Sequence, residues 1–174
     1  MYRLTDEYSL FYLQFIEKQG IRESGAWLEI SQTQDYKIWC GYTFESICLK
    51  HIPQIKHALS IGGVYAPASS FLKKGTATEN GTSRDNRGGT RIDLLLDRND
   101  RIINIFEMKF YNDTFSISKD YAQNLKSKMR VFKDTTKTPK HLFLTLVTTF
   151  GLIHNEHSVG LVDQILTVDA LFLD

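Results

Sequence analysis

The sequence predicts an α/β fold, with a mixed central sheet flanked by helices on both faces and a helix at the N-terminus. Three observations predict it. The stretch "RIDLLLDRNDRIINIFEMKF", residues 91–110, reads as two apolar strands joined by a polar turn. "HLFLTLVTT" is a continuous apolar run short enough for a fully buried strand. Helical periodicity precedes the strands and separates the pair at 91–110 from the later run, the alternation expected when helices cover a sheet.

Taken in order, Leu4, Tyr8, Phe11, Tyr12, Phe15 and Ile16 recur at three- and four-residue intervals and Gly20 closes the pattern, which predicts a helix with one apolar face. The stretch "WCGYTFESICLKHIPQIKHALSI" carries the helical period through Phe44, Cys48, Ile52, Ile55 and Leu59. Pro53 must kink this helix or restart it as a first-turn proline. "VYAPASSFL" can be a strand, pushed by Pro67 toward a sheet edge or a bulge. "KKGTATENGTSRDNRGG" is polar, glycine-rich and without period, and reads as a long mobile loop. After the two central strands, Tyr121, Leu125, Met129 and Phe132 define an amphipathic helix whose other face shows Lys126, Lys128, Arg130 and Lys133. "VDQILTVDALF" closes the chain as a strand or short helix. The expected division is an N-terminal helix and linker region at 1–22 and one domain at 23–174, within the reach of a single hydrophobic core.

The 174 residues are 42% hydrophobic and 24% charged, ordinary for a globular protein. No apolar run approaches the roughly 20 residues needed to cross a bilayer, and the polar start "MYRLTDEYSL" is no signal peptide. A cytoplasmic protein with no membrane partner is therefore expected. Cys40 and Cys48 form no CxxC pair, so neither a zinc ribbon nor a disulfide framework is indicated. The net charge of +1 hides an uneven distribution: residues 71–140 carry 15 Lys and Arg against 9 Asp and Glu, and residues 141–174 none against 4. A basic middle suits a phosphate-bearing partner, although a solvated basic face explains the same count. There is no G-x-x-x-x-G-K-[ST] loop, and the His154/His157 pair lacks a third ligand nearby. Nor does any serine stand in a nucleophile context.

What needs explaining is charge inside the most strand-like stretch. By alternation Asp93, Leu95 and Asp97 share one face and Ile92, Leu94 and Leu96 the other, while Ile103, Ile105, Glu107 and Lys109 share a face of the next strand. If the turn is a three-residue loop, Asn99 to Arg101, Leu95 falls across from Ile105 and Asp93 across from Glu107. Directly opposed residues have Cβ atoms roughly 5 Å apart, and two carboxylates at that spacing repel by about 3 kcal/mol at an effective dielectric near 20. One resolution is bland: the acids lie at a wet rim or are neutralised by Arg91, Arg98 and Lys109. The other is a divalent cation, because Mg²⁺ takes hard oxygen ligands from one or two carboxylates plus water and substrate phosphate. Lys109 is then available to orient or deprotonate a water. Glu45, bordering the core-facing stripe of the second helix beside Cys48, Leu49 and Ile52, is a further acid out of place.

These residues resemble a family. Asp93 followed by Glu107-Met108-Lys109, with Glu45 on a preceding helix, looks like the PD-(D/E)XK nuclease superfamily, whose pattern is a helical Glu, a strand Asp and an E-x-K triplet. Ile92 replaces the usual proline before the Asp. More narrowly, "YRLTDEYSLFYLQFIEK", "WCGYTFESICLKHIPQIKHAL", "RIDLLLDRNDRIINIFEMKF" and "TLVTTFGL" resemble the nuclease-like C-terminal domain of a group of bacterial AAA-type ATPases, over nearly the whole chain. Thr90-Arg91 departs from the small residue and glutamine common there, and places a guanidinium where it can pair with Asp93 or reach a phosphate. The resemblance implies a restriction-endonuclease-like core and a Mg²⁺ or Mn²⁺ held by Asp93, Glu107, the backbone carbonyl of Met108 and, directly or through water, Glu45. It further implies catalytic roles for Glu45, Asp93, Glu107 and Lys109 in hydrolysing DNA phosphodiesters. Lys126, Lys128 and Arg130 are candidate phosphate contacts. The partners expected are DNA and an AAA-type ATPase module. A non-catalytic DNA-binding or docking module of such an ATPase is the alternative.

Overall fold

The computed structural model of the protein describes residues 5–17, 26–75 and 89–172. It forms two compact units, Met1–Lys50 and His51–Asp174. The boundary expected at 22/23, Gly20, and most of the glycine-rich loop, residues 76–88, lie outside the described residues.

The first unit is helical. Asp6 caps α1 (Glu7–Phe11) by accepting from the Ser9 amide at 2.7 Å, the usual way a short acceptor satisfies an orphan N–H of the first turn. The chain runs on into a π-helical turn, Tyr12–Glu17, then α2 (Ala26–Gln32) and α3 (Gln34–Lys50). The wide turn rotates the apolar stripe out of the simple three-four spacing. Phe15 is accordingly buried, while Tyr8 and Tyr12, expected on the same face, are exposed. Phe15 belongs to a cluster of mostly edge-on rings with Phe11, Trp27, Tyr36 and Trp39, in which Tyr36 and Trp39 stack, and the neighbouring centroids lie 5.2–5.9 Å apart. Cys40 and Cys48 are free and buried on α3.

The second unit is α/β with a mixed sheet, as expected. Pro53 restarts the helix: α4 (Ile52–Ala58) has His51 at its N-cap and the proline in its first turn, where a missing N–H costs nothing. Five strands follow in the spatial order β1 (Ala68–Lys73), β2 (Thr90–Asp97), β3 (Ile102–Lys109), β5 (His141–Thr148) and β7 (Gln164–Thr167). β1 to β3 pair antiparallel, while β3, β5 and β7 pair parallel. β1 begins directly after Pro67 and lies at the edge, where a proline is tolerated. Gly89, just before β2, approaches β1 so closely that a Cβ there would lie 2.6 Å from the Lys73 carbonyl oxygen. The β3 to β5 connection carries α5 (Lys119–Thr136), the helical crossover that parallel pairing requires. Two short strands escaped the sequence reading: β4 (Phe115–Ser116) and β6 (Leu152–Ile153) form a separate parallel pair. The last stretch is both things foreseen, strand β7 and then a 3₁₀ turn, Val168–Leu171.

One face of the sheet packs on α5. Ile92, Leu95, Ile103, Ile105, Leu144 and Leu146 meet Ala122, Leu125 and Phe132 there, and Phe132 stands edge-on to Phe71 at 5.1 Å. The opposite face is also buried, at Leu94, Leu96, Phe106 and Val147, which is why β3 and β5 read as continuous apolar runs rather than alternating ones. That face contains a polar chain: Asn104 Nδ2 donates to Thr145 Oγ1 at 3.0 Å and to Gln164 Oε1 at 2.9 Å, and Arg98 donates to Asn104 Oδ1 at 3.3 Å. The chain links the β2–β3 turn to three neighbouring strands. Each of its amides and guanidinium groups is paired, and paired polar groups at such depth specify one register.

Candidate metal and phosphodiester site

Strand register decides the site. The three-residue turn is as expected: the Arg98 amide donates to the Ile102 carbonyl at 3.0 Å, leaving Asn99 to Arg101 as the loop, and Arg101 adopts φ 67°. A left-handed third residue is how such loops close. Leu95 faces Ile105, again as expected.

The ladder then stops at Leu94 opposite Phe106, one step short of Asp93 and Glu107. On the other side of β2 the register shifts between Ser69↔Leu95 and Phe71↔Ile92, so that Ser70 alone faces Asp93 and Leu94. This β-bulge corrects the simple alternation. Ile92 and Leu95, expected on opposite faces, join one core cluster. Asp93 sits in the bulge rather than in a regular cross-strand pair. Bulges bend a strand and re-aim a side chain, and they are common beside functional sites.

Asp93 and Glu107 are neutralised, Asp93 by the Arg91 that charge counting named and Glu107 by partners it did not name. The Arg91 guanidinium forms an ion pair with Asp93 Oδ1, a buried atom that makes no hydrogen bond. Glu107 receives both its partners from α5: Tyr121 Oη donates to Oε1 at 2.6 Å and Lys128 Nζ to Oε2 at 2.8 Å. Tyr121 and Lys128 are seven residues apart, two helical turns, so both project from one side of α5. Glu107 lies beside Leu146 on the neighbouring strand, which is fully buried. Burial, with the Glu107 carboxylate beside it and hydrogen-bonded to it, pushes the Tyr121 hydroxyl well above its ordinary range, so it remains the donor.

Lys109 sits on the Glu107 side of β3, and its Nζ lies 5.4 Å from the centroid of the Tyr121 ring. An ammonium over an aromatic face is held by the ring quadrupole. Tyr121 itself belongs to an aromatic row with Phe115 and Tyr111, at centroid spacings of 5.6 Å. The C-terminal end of β3 and the first turns of α5 therefore bring together Glu107, Lys109, Tyr121 and Lys128, while the bulge of β2 holds Asp93 with Arg91.

The remaining expected residues divide. Lys126 and Arg130 are exposed on α5, as anticipated. Lys128 is not part of that open face; it is half-buried against Glu107. Glu45 belongs to the first unit, half-buried on α3 one turn before Cys48. Burial chiefly, with the Glu45 charge adding to it, pushes the Cys48 thiol up to about 12. Tyr121 is the member that periodicity concealed, since it fits the apolar stripe of α5. The usable signal was its spacing from Lys128, seven residues on a helix that follows an E-x-K strand.

Among the described residues, no group of three or more His, Cys, Asp and Glu side chains is gathered as a ready metal cluster. The donor set nevertheless suits a hard cation. Asp93 Oδ1 is a buried carboxylate oxygen that is ion-paired with Arg91 but makes no hydrogen bond, and each Glu107 oxygen retains a lone pair beyond the bond it accepts.

No protein-family model matches the chain, and no curated protein does. Among solved structures, a protein of unknown function, AF1548, aligns at 13% identity with a TM-score of 0.45, over 72% of this chain and 64% of that one. The chain thus spans less than two thirds of that protein's length.

Proposed function

We propose that the protein is a metal-dependent nuclease of the PD-(D/E)XK type that hydrolyses DNA phosphodiester bonds, as the C-terminal part of, or a partner to, an AAA-type ATPase. What supports this reading is Asp93 in the β2 bulge and Glu107 and Lys109 at the C-terminal end of β3, with the ladder between the two strands ending one residue away at Leu94 opposite Phe106, and a buried Asp93 oxygen that makes no hydrogen bond. Asp93 and Glu107 would hold a Mg²⁺ or Mn²⁺, with the Met108 carbonyl as the further ligand that the family resemblance implies. A bound divalent ion supplies a Lewis acid that stabilises charge developing on the scissile phosphate. Lys109 orients the attacking water through Nζ. Tyr121 holds Glu107 Oε1 in place and supports Lys109 with its ring face. Lys126 and Arg130 position the phosphate backbone without reading sequence.

The neutralised carboxylates favour one rival, a non-catalytic DNA-binding or docking module that keeps the scaffold. Purified wild type, Lys109→Ala and Asp93→Asn on single-stranded, duplex and branched DNA with Mg²⁺ and Mn²⁺ separate the two. The nuclease reading expects cleavage by wild type, a loss of at least about a hundredfold in Lys109→Ala with Mn²⁺ binding retained, and loss of both in Asp93→Asn. Absence of wild-type cleavage on every substrate supports the docking module. Cleavage that persists equally in both variants identifies a contaminant and removes the assignment.

A further inference from the structure

We propose that Lys128 and Arg91 are built-in counter-cations of the carboxylate pair, competing with a divalent ion for the same oxygens and so setting the metal affinity of the site. The proposal rests on the metal-binding reading above and adds its regulation.

Each acid has its own basic side chain. Arg91 pairs with Asp93 Oδ1 from two residues away on β2, and Lys128 reaches Glu107 Oε2 at 2.8 Å from α5. The Lys128 pair is largely buried, with side-chain exposures of 27% for Lys128 and 18% for Glu107, so water screens it less than a surface pair. Lys109 is held differently, over the Tyr121 ring. Without a metal, two carboxylates are thus balanced by two cations, and the repulsion expected from the bare sequence is already offset. A divalent ion placed among these carboxylate oxygens sets two positive charges beside Arg91 and Lys128, which disfavours both pairs. Metal affinity therefore falls below that of the bare acids, and the released Lys128 and Arg91 become available to phosphate oxygens.

The test is Mn²⁺ titration of the whole chain by calorimetry, comparing wild type, Lys128→Met, Arg91→Met and Asp93→Asn. Lys128→Gln, which keeps a donor without the charge, covers the case in which Lys128→Met does not fold, and circular dichroism checks each variant. The expected result is Mn²⁺ binding about tenfold tighter in Lys128→Met, Lys128→Gln and Arg91→Met than in wild type, the scale of a partly screened pair. Binding by these variants where wild type binds no Mn²⁺ supports the proposal equally. Unchanged or weaker binding in the folded variants, with Asp93→Asn abolishing it, overturns the competition and leaves the metal site standing. No Mn²⁺ binding by any of them overturns both.

Discussion

At the scale of single residues, the chemistry turns on which atoms hold Glu107. Its two oxygens are fixed by a phenol and an ammonium from one helix, and the phenol also lies beneath Lys109. Tyr121→Phe keeps the ring and removes one hydrogen bond to a charged acceptor, so it should lower stability by about 2 kcal/mol at neutral pH. This contribution depends on pH with a defined sign. The folded protein raises the Tyr121 pKa above its ordinary value of 10.0, so the unfolded chain loses the proton first. The stabilisation is complete below that value and declines as pH rises above it. Urea unfolding of wild type and Tyr121→Phe should therefore show a gap at pH 8 that narrows above pH 10; a constant gap would mean that the folded protein does not raise the Tyr121 pKa. The sequence revealed both acids and Lys109, because charge in an apolar strand is visible as a violation of pattern. It did not reveal the partner of Glu107, because Lys128 lies 21 residues away and only packing brings it there.

At the scale of elements, α5 has two functions that its periodicity only half disclosed. Ala122, Leu125 and Phe132 dock it on the sheet, and Ser118 caps it by accepting from the Tyr121 amide at 3.3 Å, which fixes where the helix starts and so where Tyr121 points. Lys126 and Arg130 are left on the open side. If they track phosphates, Lys126→Ala with Arg130→Ala should flatten the log-affinity against log-salt slope for DNA by about one unit per lost contact. Mn²⁺ binding should be unaffected, because neither residue touches the carboxylates. A DNA slope equal to wild type would place the phosphate contacts on another surface. In the same way, the hairpin turn and most of the β2–β3 register were legible from its spacing, whereas the bulge was not. A bulge is a relation between β2 and β1, and no local pattern in "RIDLLLD" records that Ser70 faces two residues.

At the scale of the molecule, any site ligand bound only by the folded chain must raise its stability by mass action. Mn²⁺ at about a hundred times its dissociation constant contributes roughly 2.7 kcal/mol, enough to move the unfolding transition of the second unit upward by several degrees. Scanning calorimetry with millimolar Mn²⁺ should show this shift in wild type and none in Asp93→Asn; an unmoved transition in wild type counts against a formed site. Among the described residues no helix is long and apolar enough to cross a membrane, in keeping with the scattered charge of the sequence.

The sequence by itself determined the α/β class and the acids and lysine at the far end of the hairpin, and narrowed the strand after Pro67 to an edge or a bulge, the helix at Pro53 to a kink or a restart, and the hairpin register to the one that a three-residue turn sets. Each follows from interactions among near neighbours in the chain: proline's missing donor, the two-residue repeat of a strand, the length of a turn. Only the tertiary structure decided the bulge at Asp93, the capture of Glu107 by Tyr121 and Lys128, and the rotation of the first helix's stripe by its π turn. Those depend on which strand lies beside which, and on the face that a helix turns to a sheet after a crossover. Such choices are settled by the burial of the whole core and leave no local mark in the residues they affect.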